Sequence, residues 1–316
     1  MSRDATVVAG PLFEDLEVGQ TFDAPGLTLT DGHAAVHQAI AGDRLRLALD
    51  RPLAERVTGA AIVHPALAWE VAIGQSTAVT GRVIANLFYR GLAFRRAPRV
   101  GDTLRTVTQV LALKQNRSRP SGLALLGIRC RDQEDREVLD FARCAMLPLR
   151  DPGAQTGRAD PVEPSGAVPA GGDAVAGWDL EAFRAACPGE HFADLVPGTV
   201  FEVATGDVVS AAPELTRLTL NLAAAHVDAA AGVDGRRLVF GGHTIALAAS
   251  HLTRALPNLV YIIGWRGCDH VAPVFEGDTL RSTITVERCA DGLVDLRTVV
   301  TAASPVLDWS LTAAMA

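Results

Sequence analysis

The chain has 316 residues, about twice the length of a typical domain, and 48% of them are hydrophobic against 21% charged. That is apolar material enough for a large core, and it excludes wholesale disorder. A net charge of −7 argues against a duplex-binding surface, whose lysines and arginines must neutralise a row of phosphates, so no nucleic-acid partner is expected. No apolar run approaches the roughly 20 residues that cross a bilayer, so no membrane partner is expected either. Met1–Gly10 lacks a basic stretch followed by a long apolar one, which points to a cytoplasmic location. Cys130, Cys144, Cys187, Cys268 and Cys289 are odd in number, widely spaced and free of any C-x-x-C pair. This pattern suits reduced, mostly buried thiols better than a disulfide framework or a zinc knuckle.

Read in chain order, the first landmark is the opening segment Leu12–Phe22, because it returns as His191–Phe201 at an offset of 179. A second landmark, Ala97–Leu104, returns as Ala272–Leu280 with one residue inserted. Two landmarks repeated in the same order imply a tandem duplication. The first copy is residues 1–150 and the second is 178–316. Between them, residues 151–177 are rich in Pro, Gly, Ala and Asp without an apolar period, as in a surface linker. Asp179–Arg184 reads as a short capped helix entering the second copy.

Within the first copy, apolar residues at helical spacing predict a helix over Ile62–Ile73, followed by strands over Val83–Phe94, Thr103–Leu113, Leu123–Cys130 and Val138–Leu147. The second copy repeats the plan, with a helix over Thr244–Leu256 and strands over Leu259–Gly267, Thr279–Glu287, Leu293–Ala302 and Leu307–Ala313. Asp132–Arg136 and Ala290–Gly292 read as hairpin turns. Both helices are apolar on nearly every side, as expected of a helix that a sheet wraps around. This α+β layout resembles a double hotdog, two tandem repeats each with an antiparallel sheet around a central helix.

The residue pattern that bears on chemistry lies in the second copy. Asn221 and Leu222 lead through an alanine run to His226-Val227-Asp228, and Arg236-Arg237 lead through Leu238, Val239 and Phe240 to Gly241-Gly242-His243. The pattern resembles the hydratase motif of the MaoC-like, R-specific enoyl-CoA hydratases, in which an acidic residue stands five positions before a catalytic His in an H-x-D sequence. His226 and Asp228 match it, and Asn221 occupies the position of the acid. Within that family the combination of Asn, His and Gly-Gly-His is most similar to the mesaconyl-CoA hydratase (β-methylmalyl-CoA dehydratase) branch. Supporting fragments include Phe13-Glu14-Asp15, Gly19-Gln20, Ala85-Asn86-Leu87 with Tyr89, and Gly101–Leu104. The resemblance spans nearly the whole chain, with the second copy ending sooner than in that branch.

The resemblance implies a hydro-lyase acting on an acyl-CoA, most closely mesaconyl-CoA, with no metal or redox cofactor. Other enoyl-CoA substrates, such as itaconyl-CoA or a polyketide-like thioester, stay open. So does a hotdog thioesterase or a degenerate acyl-CoA-binding protein, because Asn221 replaces the acid. A homodimer is expected by analogy with other two-copy hotdog chains.

Adding water across an enoyl thioester requires a base for the water, an acid for the α-carbon and donors for the enolate oxygen. An imidazole, with a reference pKa of about 6.5, can take a proton near neutral pH and return it, which assigns the base to His226. Asn221 can only orient, by hydrogen bonding. Gly241 and Gly242 allow a close backbone approach, with N–H groups at the start of a helix aimed at the oxyanion. His243 reads equally as a second catalytic group or a helix cap, and Asp228 as an orienter of His226 or a turn cap. Arg236 and Arg237, or the cluster Arg90, Arg95, Arg96 and Arg99, are candidates to meet CoA phosphates, although charge clusters are more often solvated.

In the first copy, Asp43 falls opposite Asn221 but Ala48 falls opposite His226, so that copy keeps an acid and lacks a base. It reads as catalytically silent, and the resemblance implies that it shapes the acyl pocket. His64-Pro65 corresponds to the helix entry at Gly242-His243. His33 and His37, four apart, read as a solvated helix face in preference to a metal pair.

Overall fold

The architecture described below is that of a computed structural model, in which residues 9–164 and 173–316 are described. Residues 165–172 of the expected linker, and 1–8, lie outside them. The strands are β1 (Thr21–Asp23), β2 (Leu27–Thr28), β3 (Ala85–Phe94), β4 (Thr103–Gln115), β5 (Ser121–Arg131) and β6 (Glu137–Pro148), then β7 (Val200–Val208), β8 (Leu259–His270), β9 (Thr279–Ala290), β10 (Leu293–Thr301) and β11 (Pro305–Met315). The helices are α1 (Asp31–Ala41), α2 (Arg46–Leu49), α3 (Arg51–Thr58), α4 (Pro65–Gln75), α5 (Leu180–Ala186), α6 (Ala212–Leu218) and α7 (Gly241–Ala255). The strands form one antiparallel sheet in the order β1-β4-β5-β6-β3-β8-β11-β10-β9-β7, with β2 paired to β4.

The repeat in the sequence is a repeat in geometry. Phe13–Asp15 and Phe192–Asp194 each form a single 3₁₀ turn. After each comes a glycine at φ 90, Gly19 or Gly198, whose N–H donates to Val110 O or Val286 O at the matching place in the sheet. Asp102 Oδ2 accepts from the Arg99 N–H at 2.7 Å, and Asp278 Oδ2 accepts from the Phe275 N–H at 2.9 Å. These local bonds recur because the same residues satisfy the same turn.

All 11 residues of α4 are buried, as are twelve of the 15 in α7, and the two helices pack on one another inside the sheet. This accounts for their lack of a polar face: there is no solvent side to supply. Trp69 of α4 meets Trp265 edge-on at 4.8 Å between centroids and Trp309 at 6.0 Å, and Tyr89 continues the aromatic chain to Trp265 and His270. The structure is that of a double hotdog.

The halves join at the β3–β8 pairing, where Ala93 lies opposite Gly264. A Cβ on Gly264 would stand 2.6 Å from Leu92 O, so only glycine admits this strand spacing. The same seam is closed by the Arg90–Asp269 ion pair at 2.7 Å. Asp151–Val162 is more than a tether. Ala159 bridges Lys114, the Asp160 N–H donates to Leu113 O while its carboxylate accepts from the Leu113 N–H, and Val162 is buried against Ala112, Leu125 and Cys144. Among the described residues, no helix is long and apolar enough to cross a membrane, and the five cysteines are unpaired.

Candidate active site

Two residues after α6 the chain turns through Leu220 at φ 58, a left-handed conformation that a leucine rarely adopts. Its counterpart in the first copy is Gly42 at φ 66, directly before Asp43. The turn delivers Asn221, and a 3₁₀ turn over Ala224–His226 delivers the imidazole. The segment is clamped onto the other half. The Leu222 N–H donates to Thr77 Oγ1 at 2.7 Å, and the Ala224 N–H donates to Gly81 O at 3.0 Å.

Asn221, His226 and Gly241 line one cavity of about 520 Å³, whose walls come from both copies. His226 Nδ1 lies 2.8 Å from Leu238 O. A carbonyl can only accept, so Nδ1 carries the proton and Nε2 is left as a bare acceptor, the tautomer a general base needs. Burial lowers the His226 pKa below the ordinary value; the bond to Leu238 raises it in part and the charge of Arg143 lowers it further. The ring is therefore neutral at neutral pH.

Asn221 Oδ1 accepts from the Ala223 N–H at 2.9 Å, which fixes the amide and leaves Nδ2 buried with no protein partner. Gly241 is the first residue of α7, where backbone N–H groups have no intrahelical acceptor. A Cβ on it would meet His270 Nε2 at 2.6 Å, and one on Gly242 would meet the Phe240 ring at 2.7 Å and Glu70 Cγ at 3.0 Å. The glycine pair thus lets the helix start sit against both the cavity wall and α4.

No family profile matches the chain. A β-methylmalyl-CoA dehydratase of Chloroflexus aurantiacus is 30% identical over 325 aligned positions, which cover 95% of this chain and 90% of that one. A mesaconyl-CoA hydratase of Cereibacter sphaeroides is 30% identical over 87% of this chain and 82% of its own. Among solved structures, a conserved hypothetical protein of Mycobacterium tuberculosis, described as a double hotdog, superposes with TM-score 0.91 at 48% identity, covering 98% of this chain and 100% of that chain.

The chain belongs to the MaoC-like double hotdog hydratases. That membership places it among hydro-lyases, and the candidate residues can be weighed as parts of such a site.

The structure gathers three of the expected residues, Asn221, His226 and Gly241, around one cavity and leaves the others outside its lining. Asp228 is exposed and accepts from the Ala230 N–H at 2.9 Å, the turn-capping alternative. His243 is neither a cavity group nor a cap. It is wholly buried with both ring nitrogens unpartnered, and burial, helped by His37, pushes its pKa down to about 4. It points inward because the helix start packs on the first copy. Gly242 is buried in the same packing.

Arg236 is exposed, with its guanidinium 4.0 Å from the Phe275 ring centre, and Arg237 pairs with Glu276 at 2.6 Å. In the other cluster Arg90 pairs with Asp269, Arg95 with Asp140, and Arg96 with Asp102 and Asp132, so these three serve the fold.

The first copy's counterparts are sealed. His64 Nε2 lies 2.8 Å from Asp43 Oδ2, and His37 Nε2 lies 3.1 Å from Glu70 Oε2, contacts too poorly angled for directed hydrogen bonds. The two rings stack at 5.6 Å. The solvated face expected for His37 is therefore corrected: His33 is partly exposed, but α1 turns His37 into the interior at 1% exposure, against the carboxylate of Glu70. Among the described residues, no group of three His, Cys, Asp or Glu is arranged to hold a metal.

Among the cavity residues that escaped the sequence reading are Arg143 and His270. Arg143 on β6 is 2% exposed. The available signal was phase: it stands in register with the inward-facing Leu139, Phe141, Ala145 and Leu147. His270, at the end of β8, faces the cavity with Nε2 unpartnered; burial, with a contribution from His226, lowers its pKa to about 4. Nothing in its local sequence marks it.

Proposed function

We propose that this protein reversibly hydrates a 2-enoyl-CoA, with mesaconyl-CoA going to β-methylmalyl-CoA as the reaction, in a site built by the second copy and walled by the first. The observation that carries this reading is the neutral His226, with Nδ1 committed to Leu238 O and Nε2 free, sharing a cavity with the N-terminus of α7. In the forward direction Nε2 accepts a proton from water as the water oxygen bonds to the β-carbon. The enolate charge then falls on the thioester oxygen beside the Gly241 N–H. The imidazolium returns the proton to the α-carbon, so one water is consumed and the ring ends neutral. One oxyanion donor is worth about 3 to 4 kcal/mol in the transition state. Asn221 Nδ2 donates to the water oxygen, holding it without competing for its proton.

The names of the two curated relatives support mesaconyl-CoA as substrate. The first copy, with Asp43 and His64 held against one another, contributes walls and no chemistry in this reading. A cytoplasmic homodimer is its expected setting.

The test is to mix the protein with mesaconyl-CoA and, separately, crotonyl-CoA and follow loss of the conjugated double bond and release of free thiol. Hydration with no thiol release supports the proposal, and thiol release in its place makes the protein a thioesterase. His226→Ala should lower kcat by about 10² to 10⁴-fold with melting unchanged. Retained turnover removes His226 from the mechanism.

A further inference from the structure

We propose that Arg143, assisted by Asn86, is the specificity-determining anchor of this site, holding a carboxylate on the acyl chain. The inference rests on the acyl-CoA reading above and adds the residues that select the acyl group. Every contact of the Arg143 guanidinium is with a neutral group. Nη2 donates to Thr80 Oγ1 at 2.7 Å and to Ser76 O at 3.1 Å, Nη1 donates to Asn86 Oδ1 at 3.4 Å, and Nε is buried with no partner. No carboxylate pairs with it among the described residues, and no Asp or Glu lines the cavity. The carbonyl at the end of α4 brings a partial negative charge, which offsets only part of the cost of burying a full cation.

The neighbouring polar groups point the same way. Asn86 spends its oxygen on Arg143, which leaves Nδ2 buried and unpartnered, and Asn221 has spent its oxygen on the Ala223 N–H. With Asn221 Nδ2 assigned to the attacking water, the cavity still carries two unused donors, Arg143 Nε and Asn86 Nδ2, together with one uncompensated positive charge. Such a set is complementary to an acceptor-only, negatively charged group. Arg119 also lines the cavity but is exposed, as befits the mouth, whereas Arg143 lies deep, on the acyl side. The geometry selects the monothioester of a short dicarboxylic acid over a plain alkenoyl chain.

The test compares succinyl-CoA with butyryl-CoA, two unreactive thioesters of equal chain length, for binding to the unaltered protein by calorimetry. Succinyl-CoA should bind at least about 10-fold more tightly, and equal or reversed affinities overturn the proposal. This arm needs no turnover, so it reads the anchor even if no hydration is found. Arg143→Met should weaken succinyl-CoA binding by about 10²-fold and butyryl-CoA far less, with Arg143→Lys recovering part of the loss. Equal weakening of both ligands would instead assign Arg143 to a CoA phosphate and end the proposal. Should Arg143→Met fail to fold, Asn86→Leu serves as the second variant, with a selective loss for succinyl-CoA expected and an unchanged ratio counting against the anchor.

Discussion

Gly74, near the end of α4, is where packing between the halves bears most directly on the site. A Cβ placed on it would stand 1.9 Å from Thr219 O and 2.8 Å from the Thr219 carbonyl carbon. An ordinary carbon–oxygen approach is about 3.3 Å, so Gly74→Ala requires the two backbones to part by about 1.4 Å. Thr219 is two residues before Asn221, and the Leu222 N–H bond to Thr77 Oγ1 prevents the loop from simply swinging clear. Overpacking of this kind costs about 1 to 3 kcal/mol, against a helix-propensity gain for alanine of about 1 kcal/mol. The larger effect is on turnover, since a misplacement of about 1 Å costs roughly 10²-fold. Initial-rate measurements should show kcat for hydration down by that factor with melting lowered only modestly. A folded Gly74→Ala protein whose kcat stays within about threefold of the parent would refute the idea that α4 sets the position of the Asn221–His226 loop.

Other consequences are open to measurement. Because burial and the Arg143 charge hold the His226 pKa below 6.5, the acid limb of kcat/KM should fall at a pH below 6.5, and Arg143→Met should shift it upward; a limb above 6.5 would contradict the assignment. His243 is depressed to about 4 when folded, so its contribution to stability is complete above pH 6.5 and is lost as pH falls towards 4, by about 3 kcal/mol at most. His243→Leu, which removes two unpartnered ring nitrogens, should leave thermal stability at pH 7.5 equal or higher and reduce the loss between pH 7.5 and 5. Burial pushes the Asp132 carboxyl up, but hydrogen bonds from Arg136, the Glu134 N–H and Arg96 outweigh this and hold it at about 2. Its stabilisation is therefore present above pH 3.8 and is lost as pH falls through about 2. Asp132→Ala should cost about 3 kcal/mol at neutral pH in denaturant unfolding, because two turn amides lose their acceptor and Arg96 keeps only Asp102.

Much of this molecule was legible residue by residue. Strand alternation and the two all-apolar helices located β3–β6, β8–β11, α4 and α7 to within a few residues, because these patterns follow from local geometry and from burial on every side. The duplicated turns were equally visible, since the bonds at Gly19, Gly198, Asp102 and Asp278 are satisfied close by in the chain or at one fixed sheet position. His226 and the glycine entry of α7 were recoverable for a related reason: only a short loop separates them.

What the tertiary structure alone decided is which residues of the first copy complete the cavity and which of the second are withdrawn from it. Arg143 and Asn86 reach His226 only because β6 and β3 are carried to β8 by pairing between strands some 180 residues apart. His243 becomes interior because α4 and α7 pack face to face, and His37 because α1 sets it against Glu70 of α4. A local sequence window carries neither the strand order nor the helix contact, and those two long-range choices determine whether a polar side chain meets a substrate, another side chain or nothing.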